Sequence, residues 1–204
     1  MIAWAIDAVR TSALFDHIIV STDDPEIASV ARGLDAEVPF MRPAELSDDH
    51  TGTIPVIAHA VSWIEGQSRP IEAVCCIYPT APLIAPDDLA EALRLLGEGT
   101  HDFVVAATDY ASPIFRAFRE TEDAGIEMFF PEHFESRSQD LPRALHDAAQ
   151  FYWGRPDAWL TATSLFGPGT APLLIPRWRV QDIDTPEDWT RAEALFRALG
   201  GDKA

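Results

Sequence analysis

The stretch VQDIDTPEDW, Val180 to Trp189, reads as a buried strand that runs straight into a helix. Asp182 and Asp184 stand two residues apart, and residues i and i+2 of a strand share a face, so both carboxylates would project together from the strand's carboxyl end. Thr185 is placed to cap the helix, Pro186 suits its first turn, and Glu187 and Asp188 complement its positive end. In open α/β sheets ligands gather outside the carboxyl ends of the strands. A pair of hard oxygen donors there suits Mg²⁺ on a polyphosphate.

The same alternation extends towards the N-terminus. MIAWAIDAVRTSALF gives a helical apolar stripe through Ile2, Ala5, Ile6 and Val9; HIIVSTDD reads as a strand ending at Asp23 and Asp24; PEIASVARGL reads as a helix with Ile27, Val30, Ala31 and Leu34 on one face. EVPFMRP is a short strand or extended segment, and TGTIPVIAHAVSWIEGQ a helix through Ile54, Ile57, Ala58, Val61 and Ile64. AVCCIYPTAPLI is a buried strand entering a loop. PDDLAEALRLLGEG is a helix with acids in its first turn, Leu89, Leu93 and Leu96 inward and glycines at its end, and DFVVAAT is another buried strand. Between residues 112 and 149 the pattern breaks: FRAFRET and GIEMFF read as paired strands around Asp123-Ala124-Gly125, followed by a polar loop. The main pattern resumes with QFYWGR, a helical or loop segment, PLLIP and WRVQDID, and the last helix stops at Gly200-Gly201. These elements predict one α/β domain over 1–204, a mostly parallel sheet with helices on both faces. An inserted β-rich arm over 112–149 would cover a site or grip a second subunit.

Composition narrows the partners. The chain carries 33 acids against 15 Lys and Arg, a net charge of −18, which argues against nucleic acid or an anionic membrane. Its apolar runs are too short to span a bilayer and no signal peptide is visible. The two cysteines, Cys75 and Cys76, are adjacent on a strand and face opposite ways, as buried thiols of a reducing cytoplasm do. A strand-to-helix phosphate loop rich in Gly or Lys is missing from the sequence.

Five stretches in order carry a family resemblance: VSTDDPEIASVA (20–31), VPFMRPAELSDDHTGT (38–53), CIYPTAPLI (76–84), RSQDLPRALHDAAQFYWG (137–154) and QDIDTPEDW (181–189). Together they resemble the CMP-sialic acid synthetase family, the cytidylyltransferases that activate nine-carbon acidic sugars, with a Rossmann-like nucleotidyltransferase fold. The resemblance implies a homodimer joined through the arm, with CTP and a nonulosonic acid as substrates and pyrophosphate released as the CMP-sugar forms for surface or flagellin glycosylation. It implies that Asp182 and Asp184 are the metal-binding pair, holding a Mg²⁺ that bridges nucleotide and sugar. Arg42, Thr51 and Thr53 correspond to nucleotide-contacting positions. Tyr78, Arg137, Gln139, Gln150, Phe151 and Tyr152 correspond to the sugar-facing set.

Two features qualify that resemblance. Tyr78 stands where the sialic acid enzymes carry glutamine, and a phenol cannot reproduce an amide's two-way hydrogen bonding, which favours pseudaminic acid over ordinary sialic acid. Members of the family also begin with a strand and a basic, Gly-rich loop that hold the triphosphate. Met1-Ile2-Ala3 corresponds to the helix after that loop, so the expectation is a longer enzyme, a copy that keeps the signature without the clamp, or a non-catalytic protein that binds the sugar or pairs with an intact subunit. His146, beside Asp147, and the pair Asp23 and Asp24 read as structural, the last two shaping a loop and capping the following helix.

Overall fold

The structure, a computed structural model, describes residues 1–200. Gly201, the second glycine of the expected helix stop, lies outside them. A four-stranded sheet forms the centre, in the order β1 (Val74–Ile77), β5 (Leu145–Gly154), β2 (Phe103–Asp109) and β6 (Thr170–Leu174). β2 and β6 pair in parallel, while β5 runs antiparallel to both β1 and β2. Three of the four strands therefore point the same way, as the alternation predicts, and the long β5 threads between them in reverse.

β2 shows why the sheet needs cover on both faces. Val104 and Ala106 pack with Leu89, Ala92 and Leu96 of α4 (Pro86–Glu98), beside Phe151 and Trp153 of β5. Phe103 and Val105 point the other way, towards Val61 of α3 (Thr53–Gly66) and Ala158 and Trp159 of α5 (Pro156–Thr161). Strand periodicity thus splits one apolar run between two cores. Cys75 and Cys76 follow the same rule: Cys75 packs against the α4 layer and Cys76 belongs to the α3–α5 layer, both as free thiols. Burial pushes the Cys76 thiol up to about 12, which leaves it inert at neutral pH.

A third, smaller cluster joins Ile6 of α1 (Ile2–Ser12) to Ala28 and Ala31 of α2 (Pro25–Gly33), with Ala36 and Val38. Here the expected face of α2 is shifted: Ile27 and Val30 are 45% and 49% exposed, and the small Ala28 and Ala31 turn inward. Asp24 caps α2, accepting from the backbone N–H groups of Glu26 and Ile27 at 2.6 and 3.2 Å. HIIVSTDD forms no long strand; one parallel bridge joins Ile19 to Glu37.

The irregular segment is a hairpin of β3 (Phe118–Glu120) and β4 (Ile126–Met128), turning through Ala124 at φ 58°, followed by short 3₁₀ turns. Residues 145–149 of the expected insertion already belong to β5. Among the described residues no helix is long and apolar enough to cross a membrane.

Candidate active site

Residues 180–184 are not a strand. β6 ends at Leu174, and Ile175 makes one last ladder bond to the Ala107 carbonyl at 2.7 Å. Pro176 then ends the pairing, because it has no N–H to donate, and Arg177–Arg179 form a 3₁₀ turn. Residues 180–184 cross as an extended strap to α6 (Pro186–Ala198). Thr185 and Asp188 close a reciprocal capping box there, with Thr185 N donating to Asp188 Oδ2 at 3.0 Å and Asp188 N to Thr185 Oγ1 at 3.2 Å. The cap was legible in the sequence; the strand before it was an over-reading of Trp178 and Val180.

On this strap Asp182 and Asp184 are both exposed, and Asp182 Oδ1 accepts from the backbone of Ile183 at 3.0 Å. Burial, and then the neighbouring Asp184 charge, raise the Asp182 carboxyl above its ordinary value, with Asp147 and Asp188 adding to the effect. Asp182 and Asp184 thus stand close enough for their charges to oppose each other, a setting that a divalent cation fits. No three His, Cys, Asp or Glu side chains among the described residues come together as a metal-holding group. That is compatible with Mg²⁺, which takes one or two carboxylates and completes its shell with water and phosphate oxygens.

Asp147, whose charge is felt at Asp182, belongs to the sheet. In β5 the register against β2 slips between Val105 and Ala107, which face Tyr152 and Asp147, so a bulge absorbs the residues between them. Ala149 sits within the bulge at φ 50°, its N–H held by Asp147 Oδ1 at 2.8 Å. The bulge turns Tyr152 back, and its hydroxyl donates to Asp147 Oδ2 at 2.5 Å. Burial first, then the hydrogen bond to Asp147, hold the Tyr152 phenol well above the usual tyrosine range. Tyr78, at the end of β1, meets Tyr152 edge to face at 5.3 Å and exchanges a 2.9 Å hydrogen bond with Thr53 at the start of α3. Thr53, Tyr78, Tyr152 and Asp147 therefore form one connected path that ends near Asp182.

Other expected site residues lie outside this path. Phe151 is wholly buried against Trp153 and α4, so it is a core side chain and not a surface for a sugar, because strand alternation sends it to the face opposite Tyr152. Gln150 is also buried, its amide nitrogen donating to the Arg179 carbonyl at 2.6 Å. Arg137 and Gln139 are exposed in and beside a 3₁₀ turn, with Arg137 Nε on Asp140 at 3.0 Å. Arg42 is half-buried and donates to Asp23 at 3.2 Å, while its backbone N–H binds the Thr22 carbonyl. Thr51 donates to Asp48 at 2.8 Å. His146 turns Nδ1 towards the Asp147 carbonyl at 2.8 Å and meets the Tyr110 ring at a tilt, a structural role. Sequence reasoning missed Asp147, and only the bulge reveals it.

The mixed sheet with helices packed on both faces is an α/β fold of the nucleotidyltransferase type. The solved structure of CMP:2-keto-3-deoxy-manno-octonic acid synthetase complexed with CTP superposes with a TM-score of 0.63 at 13% identity, covering 96% of this chain and 88% of that one. A family model described as "Cytidylyltransferase" matches residues 1–123, and the chain belongs to that family. It is 38% identical over 197 residues to the pseudaminic acid cytidylyltransferase of Campylobacter jejuni, covering 97% of this chain and 85% of that protein. It is 30% identical over 197 residues to the CMP-N,N'-diacetyllegionaminic acid synthase of the same species, with 96% and 83% covered.

Proposed function

We propose that the protein transfers CMP from CTP to pseudaminic acid, a nine-carbon acidic sugar, with release of pyrophosphate. The observation that carries this reading is the 38% identity to the C. jejuni enzyme over nearly the whole chain. The connected path of Thr53, Tyr78, Tyr152 and Asp147 beside the paired aspartates adds support. The attacking group is the sugar's anomeric hydroxyl and the electrophile the α-phosphorus of CTP. When bound, Mg²⁺ would offset charge on the phosphates.

The chain's own residues position and orient. Asp182 and Asp184 would hold the cation at the mouth of the site. Arg42 and Thr51 stand on the loop ahead of α3, where a cytosine ring would lie, and the Thr53–Tyr78 bond would fall between nucleotide and sugar. Arg137 pairs with Asp140 only at an exposed position, a weak contact that leaves its planar fork open to the sugar's carboxylate. Phe118, Ile126, Phe129 and Phe134 leave the arm with large exposed apolar side chains, which support a homodimer formed through it. Two free thiols suit a reducing cytoplasm.

The test is pyrophosphate release with CTP and Mg²⁺, comparing pseudaminic, N-acetylneuraminic and diacetyllegionaminic acids. Release with pseudaminic acid alone, abolished in Asp184→Asn at unchanged melting temperature, is the expected result. Equal release with the other acids would move the assignment of the sugar. Unchanged turnover in Asp184→Asn would remove the metal pair.

A further inference from the structure

We propose that Arg179 and Asp88 form a positioning clamp for the Asp182–Asp184 strap, with Gln150 as its third point; the inference rests on the metal reading above. Arg179 grips Asp88 through both arms of its guanidinium, at 2.5 and 3.1 Å, and both side chains are only 17% exposed. Its carbonyl accepts from Gln150, which is 2% exposed and rooted in the β5 bulge. One residue further on, Val180 packs against the α4 layer of the core. The chain is therefore fixed in side chain and backbone immediately before the strap.

The far end is tied as well. Gln181 donates to the Asp182 carbonyl at 2.7 Å and to Asp188 Oδ1 at 3.0 Å, and Asp188 belongs to the capping box of α6. Two carboxylates whose charges oppose each other are thus held between two anchors, and relaxation of either anchor would let them spread. Asp88 shows that the contact has a use beyond its own helix. It sits in the first turn of α4, which has no side-chain cap, yet its carboxylate is turned to Arg179 instead. A half-buried bidentate ion pair is a poor source of net stability but a good source of fixed geometry. Partners behind metal ligands commonly set metal affinity by about 10- to 100-fold.

The experiment titrates Mn²⁺ into the protein by water-proton relaxation and follows urea unfolding in parallel, on wild type, Arg179→Met, Arg179→Lys, Asp88→Asn and Asp184→Asn. The expected result is a Mn²⁺ affinity reduced about tenfold in Arg179→Met and Asp88→Asn, with Arg179→Lys in between because an ammonium lacks the fork. In turnover the same variants should raise the Mg²⁺ needed for half-activity while leaving the KM for pseudaminic acid in place. Wild-type Mn²⁺ affinity in folded Arg179→Met or Asp88→Asn, against lost affinity in Asp184→Asn, would overturn the clamp alone. Wild-type affinity in Asp184→Asn would overturn the metal reading on which the clamp stands. Should Arg179→Met fail to fold, Asp88→Asn, which keeps shape and hydrogen-bonding capacity, decides the question.

Discussion

Tyr78 and Thr53, 25 residues apart in sequence, share a hydroxyl–hydroxyl hydrogen bond of 2.9 Å that ties the end of β1 to the first turn of α3. Each side chain is half-buried, so neither hydroxyl is freely replaced by water. Tyr78→Phe and Thr53→Val should each cost about 0.5–1.5 kcal/mol in urea unfolding. The double variant should cost no more than the larger single change, because both remove the same bond. Simple additivity would show that the two hydroxyls act separately.

Asp182 gives a pH dependence of defined sign. Its folded-state carboxyl lies above the ordinary value, through burial and the Asp184 charge, so the native state binds the proton more tightly than the unfolded chain does. Its contribution to stability is therefore present at low pH and is lost as pH rises through the carboxylate range. In the metal-free protein, Asp182→Asn should flatten that loss and raise the melting temperature at neutral pH. In the same variant, added Mg²⁺ should no longer stabilise. A lower melting temperature in metal-free Asp182→Asn would contradict the assignment.

Tyr152 behaves in the opposite pH region. Burial and the bond to Asp147 raise its phenol, so its stabilisation is complete below the free tyrosine value of about 10 and is lost only above it. The chain has three tyrosines, so ultraviolet titration should show one that ionises only as the protein unfolds in alkali. Tyr152→Phe should remove that late step and leave Asp147 with one hydrogen bond fewer, at about 1–3 kcal/mol. Three tyrosines titrating together in the folded protein would refute it.

Gly154 closes β5 where no side chain fits. A Cβ there would lie 2.5 Å from Trp159 Nε1 and 2.6 Å from the Phe103 ring, two side chains that are themselves buried. Gly154→Ala should destabilise by about 1–3 kcal/mol, read as a fall in the urea midpoint with little change in slope. A neutral result would mean that the α5 layer yields more readily than its packing suggests.

What the sequence disclosed was whatever a local pattern controls. Leu89 and Leu96 mark the inner face of α4 by helical spacing alone, and Thr185 with Asp188 announces the cap of α6. The hairpin around Ala124 follows from its turn residues. What stayed hidden depends on partners distant in the chain. Nothing in QFYWGR tells that β5 runs against its neighbours, or that a bulge brings Asp147 to Tyr152. Phe151 matches a sugar-facing motif by position but is claimed by the core. The strap resembled a strand because Trp178 and Val180 alternate with arginines, whereas Pro176 and the Arg179–Asp88 pair take that segment off the sheet.

Cys75 and Cys76 sit on one strand yet belong to different layers. A single peptide therefore carries a reporter for each face of the molecule, and a mass measurement after brief thiol labelling counts zero, one or two tags on it. If the layers open together, singly tagged peptide stays scarce at all times. If one peels away first, that species accumulates, and fragmentation between the two residues tells which face let go.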